Sequence, residues 1–226
     1  MKRGKPIYCP PFIPMADVLP ECEKDGWSVK HVEMDEEFVK FEQLRGAFGG
    51  GASYREVWDL EPGKYARLFG PGYLHDPMMS DTPMERRTCR PLLDNARGSV
   101  FIAGLGIGMV LLPLLRMPEV RSITVMEINQ VVVDLIWPFM LRQRGARRLS
   151  LVVGNVLEYR PSESYDTVWL DIWGDICADN WEQMKKLRRC WKSHVLAGGW
   201  LGVWRYEDVR ISAAEDRHWG RAMGLV

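Results

Sequence analysis

SVFIAGLGIG, Ser99 to Gly108, is the stretch that decides the fold. Ser99–Ala103 is an apolar run of strand length, and glycines at Gly104, Gly106 and Gly108 follow it without a break. Glycine lets a chain turn through positive φ and lets another group approach its backbone. The next residues, Gly108–Met117, read as a helix. A glycine turn between a strand and a helix is the context in which such a motif signals a ligand, whereas the motif alone is weak.

Outward from this point the pattern repeats. Ser122–Met126 reads as a second strand, Val131–Arg142 as a helix, Leu149–Val153 as a third strand and Asp166–Leu170 as a fourth. Asn180–His194 is an amphipathic helix, and Leu196–Trp204 contains a fifth strand. Near-continuous apolar strands alternating with helices predict a mostly parallel sheet covered on both faces. Right-handed crossovers make that a doubly wound α/β fold. Upstream, Thr82-Pro83-Met84-Glu85 fits a capping box and starts a helix running to about Asp94. Before it, short alternating runs at Phe38–Leu44, Tyr54–Leu60 and Tyr65–Phe69 between turn signals read as strands or hairpins, with Gly49–Gly51 a mobile loop or wide turn. The expected organisation is a β-rich appendage over residues 1–79 and a Rossmann-like domain over residues 80–226.

Composition narrows the class. The chain has 226 residues, 46% apolar and 27% charged, with 30 basic residues against 30 acidic ones. That excludes a disordered chain and argues against bulk attraction to nucleic acid or anionic membrane. The basic runs Arg142–Arg148 and Lys185–Arg189 read as solvated surface. The longest uncharged stretch, Val100–Leu115, holds glycines and a proline and falls short of the roughly 20 apolar residues of a membrane span. Five cysteines without Cys-x-x-Cys spacing, and a start without an apolar leader segment, suggest a cytoplasmic protein. The histidines His31, His75, His194 and His218 share no metal-ligand spacing, although His75 lies near the expected substrate strand. Metalloprotease, P-loop and G-x-S-x-G motifs are absent.

Ligands of doubly wound sheets sit outside the carboxyl ends of the strands, where strand order reverses. Glu127 ends the second strand, where a carboxylate can accept from both ribose hydroxyls; it could also cap a helix from Asn129. Met109 stands where a dinucleotide fingerprint wants its third glycine. Asn155 and Val156 follow the third strand, in reach of an adenine edge. Asp171 ends the fourth strand, facing the reacting end of a ligand or serving as a turn residue. Trp173 offers a face to a cation or packs its loop.

The order of GLGIG, Glu127, the Gly154-Asn155-Val156 turn and YDTVWLD, over roughly residues 80–205, resembles the class I S-adenosylmethionine-dependent methyltransferases. The resemblance implies S-adenosylmethionine as cofactor. Gly104, Gly106 and Gly108 would line its methionine and ribose, Glu127 would hold the ribose, and Asn155 with Val156 would flank the adenine. MMSDTPMERR is similar to the acid-Thr-Pro stretch of guanidinoacetate N-methyltransferases, which implies that Asp81 binds substrate and Asp171 its nitrogen. Spermidine synthase-like proteins resemble the chain in having β-hairpins before the cofactor domain and an Asp after strand four, and use decarboxylated S-adenosylmethionine. The chain departs from these patterns at Ile102, where many methyltransferases carry an acid, and at Ile107, where spermidine synthases carry an Asp. Asp171-Ile172-Trp173-Gly174-Asp175 is one residue longer than the spermidine synthase motif and lacks its proline.

An amine must shed its proton before it attacks a methyl group, and carboxylates nearby can orient it and take that proton. Asp81 and Asp171 form the expected catalytic pair, with Asp175 as a third candidate and Trp173 supplying a cation–π face worth about 0.5–2 kcal/mol. Glu85 reads as a capping residue. The leading expectation is N-methyl transfer to a small amine or guanidine. Aminopropyl transfer is the second, and a non-catalytic adenosyl-ligand binder or assembly protein the third. The residues after the fifth strand suffice for one helix and not for a further hairpin, so a bare sheet edge suggests a homodimer.

Overall fold

The computed structural model describes residues 9–49, 59–72 and 77–222. Two sheets organise it. The first is antiparallel: β1 (Cys22–Lys24), β2 (Trp27–Met34), β3 (Gly63–Phe69) and β4 (Met79–Ser80), in that spatial order. Asp25 and Gly26, both at positive φ, close the β1–β2 hairpin as an Asp-Gly turn does. Tyr65–Phe69 lies in a strand as expected, but Phe38–Leu44 does not. It belongs to helix α1 (Glu36–Gly49), because Asp35 Oδ1 accepts the amide of Phe38 at 2.7 Å and Glu36 and Glu37 favour a helix N-terminus. Residues 54–58 of the expected Tyr54–Leu60 strand, together with Gly50, Gly51 and His75, lie outside the described residues.

The second sheet is wholly parallel and has a Rossmann-like, doubly wound architecture. Its strands are β5 (Gly98–Ala103), β6 (Val120–Glu127), β7 (Leu149–Val153), β8 (Tyr165–Leu170) and β9 (Val195–Val203), ordered β7-β6-β5-β8-β9. The helices are α2 (Pro83–Asn95), α3 (Leu111–Leu114), α4 (Gln130–Met140), α5 (Asn180–Lys192) and α6 (Tyr206–Ala222). Alternation along β5 divides the core. Val100 and Ile102 pack with Leu92, Leu93, Ile136 and Met140 on one face. Phe101 and Ala103 pack with Val168, Met184 and Leu187 on the other, where Phe101 stacks on Trp191 at 4.1 Å.

Two local expectations change. The helix after the glycine turn is one turn long rather than Gly108–Met117, since tight turns occupy the first residues and Pro113 cannot donate to a longer ladder. Arg148, at the end of the basic run, is half-buried and donates to the carbonyls of Leu115, Met117 and Val120. It closes the backbone before β6 instead of facing solvent.

The antiparallel sheet docks on the parallel domain. Val29, Ala66 and Leu68 join the same core as α4, and Lys24 pairs with Asp134 of that helix. The connection that matters most is at β5. Gly104 has φ +98°, and a Cβ there would lie 1.9 Å from the carbonyl oxygen of Asp171. Gly104→Ala is therefore expected to cost more than about 3 kcal/mol in urea unfolding, through backbone strain and displacement of β8. A loss under about 1 kcal/mol would mean that the strand ends can separate freely.

Candidate active site

At the carboxyl edge of the sheet the chain runs from β5 to one side through β6 and to the other through β8. Gly104 N donates to Met126 O at 2.8 Å, and Asp171 N donates to Ala103 O at 2.9 Å. A cavity of about 530 Å³ opens beside Gly104, just past these bonds. That volume suits a small organic ligand.

One end of the cavity is built around Glu127. It is 9% exposed, and its carboxylate accepts Leu105 N and Asn129 N, both at 2.9 Å. The bonds tie the glycine turn to the start of α4, and they leave acceptor capacity for a ligand, since a carboxylate offers about four lone-pair sites. The capping role falls to Asn129, whose Oδ1 accepts Val131 N at 2.9 Å. Ile128, Val132, Val156 and Leu157 line the apolar part of this end. Asn155 also lines it, but its Oδ1 accepts Leu157 N and its Nδ2 donates to Glu158, so its side chain serves its own turn.

The three glycines divide. Gly104 and Gly106 line the cavity. Gly108 is buried away from it, where a Cβ would meet Met140 Sδ at 2.7 Å, so its smallness serves the packing of α4. At Gly106 a Cβ would lie 1.9 Å from Met79 Sδ, and Ile107 N points at the same sulfur, 3.4 Å away. Strand β4 thus lies directly against the turn, and Trp27, Leu68 and Met78 complete that wall. Ile102 lines the cavity, so its floor is apolar where an acid was the alternative; Ile107 is fully buried.

The other end holds Asp171, walled by Trp169, Trp173 and Trp204. Burial pushes the Asp171 carboxyl up to about 7, against the opposing effect of the Trp169 indole N–H, 3.3 Å from Oδ2. Each tryptophan is anchored: Trp169 stacks on Trp200, Trp173 Nε1 donates to Gln183 Oε1 at 2.7 Å, and Trp204 Nε1 donates to Thr88 Oγ1 at 3.0 Å. Trp173, 8% exposed, both packs its loop and lines the cavity.

The remaining acids sort differently from expectation. Asp81, expected to face substrate, is fully enclosed: its carboxylate accepts Met15 N at 2.7 Å, Ala66 N at 2.8 Å and the Arg86 guanidinium at 3.0 Å. It clasps the N-terminal segment, β3 and α2, and does not line the cavity. Asp175 is exposed and accepts Asn180 Nδ2 at 3.0 Å near the start of α5, also outside the cavity. Sequence reasoning missed Glu85. Thr82 makes no side-chain capping bond, its amide donates to Ser80 Oγ, and Glu85 lines the cavity. The signal was the spacing Glu85, Cys89, Leu92, Leu93, Ala96, which puts Glu85 on the inward stripe of α2. Burial, with Asp171 and Glu85 adding to it, pushes the fully enclosed Cys89 thiol well up.

Among the described residues no group of His, Cys, Asp and Glu is arranged to hold a metal, and no helix is long and apolar enough to cross a membrane. No protein-family model matches the chain. Two curated relatives are similar to it: putrescine N-methyltransferase 2 of Nicotiana attenuata and of Nicotiana tabacum, each 27% identical over 169 residues. The matches cover 66% of this chain and 43% and 45% of those proteins, so the chain spans less than half the length of the curated relatives it matches. Both are methyltransferases by name, and neither similarity favours aminopropyl transfer or a non-catalytic role. Among solved structures, the CcbJ methyltransferase from Streptomyces caelestis superposes with a TM-score of 0.43 at 19% identity, covering 52% of this chain and 45% of that one. The glycopeptide N-methyltransferase MtfA with S-adenosyl-L-methionine does so with a TM-score of 0.42 at 16% identity, over 52% and 48%.

The buried clasp makes Asp81 a stability residue. Asp81→Ala strands the Arg86 charge and two backbone amides, and is expected to lower stability by about 3–5 kcal/mol in chemical denaturation, with ligand affinity of the folded fraction unchanged. Unchanged stability with lost ligand binding would return Asp81 to the site.

Proposed function

We propose that the chain transfers a methyl group from S-adenosylmethionine to the nitrogen of a small amine. One observation carries the reading: a single cavity at the strand switch joins a glycine turn and a buried acid, Glu127, to a desolvated acid, Asp171, set among three tryptophans. The two relatives, both putrescine N-methyltransferases by name, support it.

The residues at the glycine end fit an adenosyl ligand. Gly104 and Gly106 present backbone without side chains, Glu127 keeps acceptors for a ribose diol, and Val156 and Leu157 flank an apolar slot. When bound, the cofactor supplies an activated methyl group on a sulfonium. The chain's own task is then to hold an amine in line with that methyl and to take its proton. Asp171 is the group we assign to that task. A carboxyl with a pKa of about 7 accepts a proton from an ammonium more readily than an ordinary carboxylate does. The tryptophan faces stabilise the positive charge on nitrogen before and after transfer. The whole substrate range, a homodimer paired through edge strand β7 or β9, and a cytoplasmic location belong to the same proposal.

Titration calorimetry with S-adenosylmethionine and S-adenosylhomocysteine is expected to show binding that Glu127→Ala abolishes or weakens at least about tenfold. No heat with either ligand in folded protein would overturn the reading.

Asp171 gives a second test with opposite signs in activity and stability. Turnover is expected to rise with pH through about 7 as the carboxyl ionises, and Asp171→Asn to lose about 10²–10⁴-fold. Folded Asp171 keeps its proton up to about pH 7, whereas the unfolded carboxyl releases it near pH 4. The folded state therefore binds more protons between those values, and stability from this group, intact below about pH 4, is lost as pH rises through 7. Asp171→Asn is expected to match the parent at pH 4 and to exceed it by about 2–4 kcal/mol at pH 8 in denaturant unfolding. An Asn variant that stays active, or is less stable at pH 8, would remove Asp171 from this role.

A further inference from the structure

We propose that Trp169 is a positioning residue: its indole N–H holds Oδ2 of Asp171, so that Oδ1 is the oxygen turned to the reacting nitrogen. The inference rests on the reading that Asp171 takes the acceptor's proton.

Two neighbouring strands fix the indole. Trp169 on β8 is 2% exposed, and its ladder partner on β9 is Gly202. A Cβ at Gly202 would lie 2.7 Å from Trp169 Cε3 and 2.1 Å from Trp200 Cη2, so a glycine there leaves room for both rings. Trp200, two residues before Gly202 on β9, stacks on Trp169 with centroids 5.9 Å apart and planes 9° apart. The plane of the Trp169 ring is therefore set by the sheet behind the cavity. Its Nε1 lies 3.3 Å from Asp171 Oδ2, and an indole nitrogen can only donate. Trp173 and Trp204 direct their N–H groups to Gln183 and Thr88, so of the three tryptophans in the wall Trp169 is the one that addresses the acid.

A donor on one oxygen favours the ionised carboxylate and holds its rotation, so the other oxygen keeps one direction. In the reaction an N–H bond of the ammonium breaks, its electron pair stays on nitrogen for the attack, and the proton bonds to Oδ1. The titratable groups of the neighbouring elements are Glu85 and Cys89 on α2, Arg205 and Asp208 beyond β9, Asp175 before α5 and Glu127 at the far end of the cavity. Burial above all pushes the Cys89 thiol well up and keeps it neutral. Arg205 pairs with Asp208, Asp175 accepts Asn180 Nδ2, and Glu127 accepts two backbone amides. None of these groups donates to Asp171 in place of the indole.

The test follows the Asp171 carboxyl carbon by NMR in the full chain, with aspartate isotope-labelled at that carbon and the signal assigned by its loss in Asp171→Asn. The parent is expected to titrate at about 7. Trp169→Phe keeps an aromatic ring against Trp200 but has no donor, and should raise the midpoint by about 0.5–1. Trp200→Leu lies outside the cavity wall and frees the indole to turn; it should move the midpoint the same way, which keeps the test open if Trp169→Phe does not fold. Trp204→Phe trims the same wall but spares the donor, and should leave the midpoint within about 0.2. In turnover, Trp169→Phe should carry the pH–rate midpoint up by the same amount and lower kcat on the high-pH plateau about tenfold, with KM for S-adenosylmethionine within about threefold. Equal movement of the midpoint by Trp204→Phe would reveal a packing effect and overturn the inference. Methyl transfer by the parent with a midpoint that neither Trp169→Phe nor Trp200→Leu moves would overturn this inference and leave the proposed function standing. A carboxyl that answers to Trp169→Phe in a chain that methylates no amine would keep the indole tie and overturn the proposed function.

Discussion

The site depends on the close approach of the ends of β5 and β8 at Gly104, beside the end of β6. β6 and β8 flank β5 along its length, and past Ala103 the last ladder bonds run to different neighbours: Gly104 N to Met126 and Asp171 N to Ala103. The chain can do this only because Gly104 adopts φ +98° and carries no side chain where the Asp171 carbonyl passes. From that one constraint follow the turn at Gly106, the tie from Leu105 N to Glu127, and the position of Asp171 at the cavity wall. The cavity is a consequence of strand topology before it is a matter of which side chains line it.

Environment then decides what each acid does. Carboxylates of the same intrinsic chemistry occupy contrasting surroundings. Asp81 is surrounded by donors and serves as a clasp. Asp166, at the opposite end of the sheet, accepts Ser99 N and pairs with Arg121; the Ser99 amide above all, with Arg121 adding to it, holds its carboxyl below the usual range. Asp171 has one weak indole donor, so burial dominates and pushes its carboxyl up to about 7. An acid kept this way costs stability when ionised, which is a common trade at reactive sites.

The antiparallel sheet is part of the site rather than an ornament on it. Met79 presses against Gly106, and Trp27, Leu68 and Met78 close one wall. The Asp81 clasp and the pairing of Lys24 with Asp134 hold that wall against the parallel domain. The cavity wall is therefore built jointly by the two sheets.

The sequence by itself determined the doubly wound sheet, the strands from Ser99 to Trp204, and the ends of β6 and β8 where Glu127 and Asp171 stand, because apolar period and glycine punctuation are local signals. It failed at Phe38–Leu44, where an Asp35 cap outweighed an alternation of apolar residues, and at the one-turn α3, where Pro113 and a run of turns cut a helix short. Only the tertiary structure decided that Asp81 is a clasp, that Gly108 packs against Met140, and that Glu85 turns into the cavity. The reason is physical. Whether an acid meets donors, water or apolar walls depends on elements distant in sequence, and neither its identity nor its neighbours in the chain carry that information.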